Sequence, residues 1–120
     1  MNPKEIIQLI KSGESEILEL KESFNKEAVQ SISAFANTKG GTLLIGINAS
    51  NEIVGTQIGD ESIQNYMNQI KQATSPSIFP DIETILIDGK AIIIISVDEF
   101  PVKPIPYKGR YSKRAQNSHH

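Results

Sequence analysis

The side chains with the clearest catalytic potential near the start of the chain are Glu14 and Glu19. The two glutamates form the best carboxylate pair of the sequence, and a joint catalytic role requires both to converge in one cleft with shifted proton affinities. Most glutamates at strand edges are simply solvated. The structural alternative is an exposed ion pair of Glu19 with Lys21 or with the basic carboxyl-terminal residues, contributing about 0 to 1 kcal/mol to stability.

A second candidate is the run Thr38-Lys39-Gly40-Gly41-Thr42, which contains the residue types that cradle phosphates. It follows a helical pattern and precedes a strand pattern. The phosphate-binding loop of nucleotide hydrolases has the opposite order, strand then loop then helix, so that helix N-terminal amides face the anion. No G-x-x-x-x-G-K-[ST] run occurs in the sequence. The chain is therefore not expected to hydrolyse nucleotides by itself, and Lys39 is predicted to contact a phosphate from its loop.

The third candidate is the segment 101–120, which carries five basic residues and no acidic one, whereas residues 1–100 carry 14 acidic and 7 basic residues. Lysines and arginines that neutralise phosphates supply most of the sequence-independent affinity for nucleic acids, and interleaved tyrosines suit base stacking. The predicted nucleic-acid contacts are Lys39, Lys108, Arg110, Tyr111, Lys113 and Arg114. The alternatives are a solvated tail that balances an acidic body and an edge strand whose charges prevent aggregation.

Three helices are predicted from capping residues and apolar periodicity. The predicted cap residues are Asn2, Asn25 and Asp60. The second helix, over about residues 26–38, leads into Gly40, which is predicted to be the left-handed residue that closes it. Gly41 is expected to let the backbone turn tightly into the following strand.

Strands are predicted where apolar residues alternate or run continuously. The predicted strands cover residues 16–21, 42–48, 52–55, 82–87, 90–97 and 107–114. Asp88-Gly89 is typical of a two-residue turn, so residues 82–97 are predicted to form a hairpin. The isoleucine run 92–95 is expected in a central strand covered on both faces. In the first strand, Glu19 and Lys21 share one face and are predicted to point outward or into a cleft.

Length and composition favour one globular domain over residues 1–120, with 38% hydrophobic and 22% charged residues. No apolar run approaches the roughly 18 residues of a membrane helix, and the amino terminus does not have the pattern of a secretory signal peptide. A cytoplasmic location without membrane contact is therefore expected. The chain has no cysteine, and its two histidines are His119 and His120, which are either native or left from a purification tag. Disulfides and a zinc site are therefore not expected, and the chain is interpreted as a module excised from a longer regulator.

Four segments taken together resemble a known family. They are residues 14–21 (ESEILELK), 34–47 (AFANTKGGTLLIGI), 53–55 (IVG) and 107–114 (YKGRYSKR). In content and order they are similar to the Schlafen-type Alba-related domain, to which DNA binding is assigned. That domain opens many bacterial and archaeal transcriptional regulators of the divergent-AAA or helicase-related type, and it also occurs in Schlafen proteins. The resemblance implies an α+β fold with a mixed sheet flanked by helices, further carboxyl-terminal domains, and ATP binding as an annotation of the parent proteins.

In the Schlafen branch that resembles an enzyme, the likeness implies an RNA-cleaving site of three carboxylates. Glu14 and Glu19 match its glutamate pair, and Lys21 matches a basic residue of the same motif. The third carboxylate, an aspartate just after the central strand, corresponds here to Asn48 followed by Ala49. A neutral amide is a poor substitute for an acidic ligand of a catalytic cation. Cleavage is therefore not expected, and Mg²⁺ or Mn²⁺ is expected only under the nuclease hypothesis.

Three functions follow as hypotheses. The first is a non-catalytic nucleic-acid-binding module of a prokaryotic transcriptional regulator, with DNA preferred over RNA, backbone contacts dominant and low sequence preference. The second is a metal-dependent ribonuclease-like domain that uses Glu14 and Glu19. The third is a dimerisation or signal-relay domain, for which a homodimer is expected, since fold does not determine function. The first requires Lys39 and the basic segment to converge despite the net acidity of residues 1–100.

Overall fold

The computed structural model describes residues 1–59 and 61–101 and, beyond them, the backbone of four two-residue strands. The helices are α1 (Pro3–Ser12), α2 (Lys26–Ala36) and α3 (Ser62–Ala73). The longer strands are β1 (Leu18–Lys21), β2 (Gly41–Ile45), β3 (Asp81–Ile87) and β4 (Lys90–Val97). The short strands are β5 (Pro106–Tyr107), β6 (Arg110–Tyr111), β7 (Arg114–Ala115) and β8 (Ser118–His119).

The first two helices begin at the predicted caps. The Asn2 side chain accepts from the Glu5 backbone N–H at 2.9 Å, and the Glu5 carboxylate accepts from the Asn2 N–H, also at 2.9 Å. Asn25 accepts from the Ala28 N–H at 3.1 Å. Both contacts satisfy amides that have no partner within the helix. The cap predicted for α3, Asp60, lies outside the described residues, and Glu61 at the cap position makes no side-chain cap hydrogen bond.

The four longer strands form one mixed sheet in the order β1-β2-β4-β3. β1 and β2 are parallel, and α2 is the crossover that a parallel pair requires. β4 runs antiparallel to both of its neighbours. The predicted hairpin is confirmed, because Asp88 and Gly89 have φ angles of 51° and 77° and Ile87 pairs with Lys90. Positive φ at both turn residues matches the right-handed twist of the flanking strands.

Helices cover both faces of this sheet. One buried cluster joins α1 to one face through Ile6, Ile10, Leu18, Leu44, Ile47, Ile87, Ile92 and Ile94. The other joins α2 and α3 to the opposite face, and its members include Ile32, Phe35, Leu43, Ile45, Ile70, Ile93 and Ile95. Because neighbouring isoleucines of β4 alternate between the two clusters, β4 is the central strand predicted from its apolar run.

Two predicted strands differ from the fold. The return strand over residues 52–55 is reduced to a single bridge between Ile47 and Ile53. The prediction of one long edge strand over residues 107–114 was wrong. In the described part of this range, the short strands β5 and β6 pair with each other and not with the main sheet. Within the described part of the chain, no helix is long and apolar enough to cross a membrane.

Candidate nucleic-acid interface

Glu14 lies beside the outer edge of β1. Its carboxylate accepts a hydrogen bond of 3.0 Å from the backbone N–H of Leu20. The carbonyls of Ile17, just before β1, and of Lys21, at its end, accept from the N–H groups of Thr42 and Gly46. Backbone groups of successive residues in a strand point to opposite sides, so the Leu20 N–H points away from β2. The Leu18 carbonyl, which points the same way, accepts from the Ser15 N–H at 3.0 Å. Glu14 therefore closes a strand edge that would otherwise present unpaired backbone groups.

Glu19 lies under α2 and is only 6% exposed. Its carboxylate accepts from the Ser31 hydroxyl, and the Lys21 ammonium is 3.8 Å from the same oxygen. Lys21 is also 3.0 Å from the carboxylate of Glu27, in the first turn of α2. The predicted ion pair of Glu19 with Lys21 is present, but it is not exposed as expected, because α2 covers this face of β1. Burial of a carboxylate is tolerated here because its oxygens have a hydroxyl and a cation as partners.

Asn48, at the place of the third carboxylate, organises the turn after β2. Its side-chain oxygen accepts from the backbone N–H groups of Ser50 and Glu52 at 3.0 Å and 2.9 Å. Its side-chain amide donates to the Glu52 carboxylate at 3.0 Å. An aspartate could accept the first two bonds but could not donate the third. Among the described residues, no group of three or more acidic, histidine or cysteine side chains could hold a metal ion.

Lys39 follows α2 on the loop to β2, as predicted, with its side chain 68% exposed. Its ammonium is 2.6 Å from a carboxylate oxygen of Glu16. The hydrogen bond to Glu16 and its charge raise the pKa of Lys39 above the ordinary 10.5. A raised pKa means that the pair stabilises the fold below pH 10.5 and that this contribution is lost as the pH rises through the higher, folded-state value. Lys39 therefore carries a full charge at neutral pH.

The basic segment is described only in part. Lys108 and Lys113 lie outside the described residues, and for Arg110, Tyr111 and Arg114 the structure describes the backbone alone. Backbone atoms of β5 come close to α2, with Cα atoms within 8 Å. β5 therefore lies near the helix that leads to Lys39.

Two site features escaped the sequence reasoning. Glu16 is the ionic partner of Lys39, and Ser31 is the hydroxyl partner of Glu19. The sequence did not single out Ser31, because Gln30 and Ser33 are also polar residues of the same stretch. No local pattern marks the partner of Lys39, since 23 residues separate it from Glu16.

Comparison with solved structures shows the same fold in other proteins. The chain matches a structure of the DIP2311 protein of Corynebacterium diphtheriae with a TM-score of 0.68 and 21% identity, covering 88% of this chain and 22% of that one. It also matches the N-terminal domain of a protein related to the ATP-dependent DNA helicase RecG, from Nitrosomonas europaea. That match has a TM-score of 0.64 and 20% identity and covers 98% of this chain and 94% of the other.

No curated protein matches the chain. The family model described as "Schlafen, AlbA_2" matches residues 14–120. The matched range includes all four segments on which the resemblance was based, from the glutamates before β1 to the basic carboxyl-terminal residues. The chain therefore belongs to the Schlafen AlbA_2 family.

Proposed function

We propose that this domain binds nucleic acid, with DNA as the preferred partner, through phosphate contacts from Lys39 and the basic segment 101–120. The observation that carries the proposal is charge segregation, since all five charged residues of that segment are basic while residues 1–100 hold 14 acidic ones. The approach of β5 to α2 supports convergence of the segment with the helix that ends next to Lys39. Contacts of this kind fix the position of a nucleic acid without reading its sequence.

Family membership and one structural neighbour add support. The Schlafen AlbA_2 match fits a nucleic-acid-related role, and the Nitrosomonas domain comes from a protein named for its relation to a DNA helicase. The chain spans 22% of the Corynebacterium chain. We therefore propose that the domain is the DNA-contacting module of a larger prokaryotic transcriptional regulator. Binding of ATP would belong to other domains of such a protein.

The test is a titration of the whole chain with labelled 20-bp duplex DNA, single-stranded DNA and RNA at two salt concentrations. We expect binding that weakens with salt, because each neutralised phosphate releases counterions. Replacing Arg110 and Arg114 by Gln should reduce the salt slope by about 0.9 per lost phosphate contact on duplex DNA. Replacing Lys4 and Lys11 by Gln is the matched two-charge control, since both lie on α1, across the sheet from α2. The absence of salt-dependent binding to all three polymers would contradict the proposal.

No observation on the described residues favours the ribonuclease hypothesis, because Glu14 and Glu19 bind groups of the protein itself. Incubation with structured RNA and Mg²⁺ or Mn²⁺ should leave the RNA intact. Cleavage that disappears in both Glu14→Ala and Glu19→Ala, with folded variants, would establish the nuclease activity instead.

A further inference from the structure

Lys39 is the one predicted phosphate contact whose side chain the structure describes, and it is bound to Glu16 across 2.6 Å. The two residues come from separate parts of the chain. Lys39 follows α2, whereas Glu16 belongs to the segment that closes the outer edge of β1. Glu16 lies just before β1 and Lys39 lies just before β2. Because these two strands are parallel neighbours, the residues that precede them lie at the same end of the sheet.

The backbone on each side of Lys39 is anchored. The N–H groups of Thr38 and Gly40 both donate to the Phe35 carbonyl, at 3.1 Å and 2.8 Å. Gly40 has a φ of 77°, and a Cβ there would lie 2.5 Å from the Val97 carbonyl oxygen. The loop is therefore held tightly against the end of β4, and Lys39 cannot move far from Glu16 through backbone motion.

The backbone around Glu16 is anchored as well. The Ser15 N–H donates to the Leu18 carbonyl at 3.0 Å, and the Ile17 carbonyl accepts from the Thr42 N–H at 2.8 Å. The carboxylate is thus held next to the ammonium at a high effective concentration, on the order of millimolar or more. Exposed ion pairs are individually weak, so a ligand with several simultaneous contacts can displace the carboxylate.

We propose that Glu16 is an autoinhibitory partner of Lys39 in the nucleic-acid site, since its carboxylate holds the ammonium and weakens phosphate binding there until a polyanion with further contacts displaces it. This inference rests on the proposed function for the identity of the polyanion. A free phosphate competes with Glu16 for one ammonium and gains no other contact. A sugar–phosphate chain held elsewhere by the basic segment presents its phosphates at a raised local concentration. At low concentration a free phosphate therefore leaves Lys39 paired with Glu16, whereas a polymer that is bound through other contacts displaces the carboxylate.

The first test needs no nucleic acid. Inorganic phosphate is titrated into ¹⁵N-labelled wild-type protein and Glu16→Gln, and the amide signals of Lys39 and Gly40 are followed. We expect concentration-dependent shifts in Glu16→Gln that Lys39→Gln in the same background abolishes, and smaller shifts in the wild type. Equal shifts in the wild type and Glu16→Gln, or no shift in either, would overturn the proposal whether or not the domain binds nucleic acid.

The second test measures the affinity for a labelled 20-bp duplex in a double-mutant cycle of Glu16→Gln and Lys39→Gln. Glu16→Gln should tighten binding about two- to fivefold, as release of an exposed ion pair predicts. The salt slope should stay nearly unchanged, because Lys39 contacts a phosphate in both proteins. In the Lys39→Gln background the effect should fall to the level of Glu83→Gln, a matched charge change on β3 at the far edge of the sheet. Equal tightening with and without Lys39 would show a general charge effect and contradict the role of Glu16. Loss of wild-type binding would instead contradict the proposed function.

Discussion

The carboxylates of Glu14 and Glu19 both bind groups of the protein itself. Glu14 accepts from the Leu20 N–H at the open edge of β1, and Glu19 accepts from the Ser31 hydroxyl beneath α2. These are contacts that hold a strand edge and a helix in place. These two glutamates, which the sequence suggested as a catalytic pair, therefore have a structural role in this fold. Lys21 adds a further contact to α2, because its ammonium lies near the carboxylates of Glu19 and Glu27.

We predict that Glu19→Ala lowers the free energy of unfolding by about 2 to 4 kcal/mol, because the Ser31 hydroxyl and the Lys21 ammonium lose a largely buried partner. Denaturant unfolding followed by circular dichroism measures the loss. Glu22→Ala is the matched control, since Glu22 is exposed and carries the same charge, and its effect should stay within about 0.5 kcal/mol. A Glu19→Ala protein as stable as the wild type would point back to a chemical role for this carboxylate.

At the scale of elements, the junction from α2 through Gly40 to β2 organises the site. The helix ends at Ala36, the chain reverses through a left-handed glycine, and β2 enters the sheet beside β1 and β4. Gly41 was predicted to allow a tight turn, but the structure shows that it makes room for the Phe35 ring. A Cβ at Gly41 would lie 2.3 Å from that ring. The junction places Lys39 on a short, hydrogen-bonded loop next to Glu16.

We predict that Gly40→Ala destabilises the fold by about 3 kcal/mol or more, the sum of a left-handed alanine and an overpacked contact with the Val97 carbonyl. Gly89→Ala provides the matched control, because Gly89 has the same φ of 77° and a Cβ added there would meet no atom of the described residues within 4 Å. Its cost should be about 1 to 2 kcal/mol. Thermal or denaturant unfolding measures the stability of the two variants. Equal losses of unfolding free energy would show that the structure around Gly40 adjusts to the added methyl group without a further loss of stability.

At the scale of the whole molecule, charge is divided along the chain rather than balanced locally. The formal net charge of −2 combines a body with twice as many acidic as basic residues and a segment with basic residues only. Under the proposed function, the acidic body repels a polyanion and the basic segment attracts it. Such binding would depend on ionic strength and would orient the nucleic acid toward one region of the domain.

We predict a low sequence preference. Two 20-bp duplexes of equal base composition and unrelated sequence should bind with affinities within about threefold, because phosphate contacts carry no direct sequence information. Fluorescence anisotropy at matched salt concentration measures both. A preference of about tenfold or more would be comparable to a base contact of about 1 to 3 kcal/mol and would contradict backbone-dominated binding.

The features that the amino-acid sequence determined by itself are those set by a few consecutive residues. The Asn2 and Asn25 caps, the Asp88-Gly89 turn and the left-handed Gly40 each depend on backbone angles and hydrogen bonds within about five positions. Steric limits on φ and the amides left unpaired at helix starts act locally, so residue type is sufficient to predict them. The central strand was predictable as well, because only burial on both faces tolerates four consecutive isoleucines.

The tertiary structure alone decided which side chains meet. Glu19 is buried because α2 crosses over β1, and Lys39 meets Glu16 because β1 and β2 are parallel neighbours. Alternation along β1 predicted that Glu19 and Lys21 share a face but not which layer would cover that face. Contacts across 12 or 23 residues depend on the packing of whole elements, which the hydrophobic effect drives without direction. The position of a carboxylate in the sequence therefore could not distinguish a catalytic pair from two structural contacts.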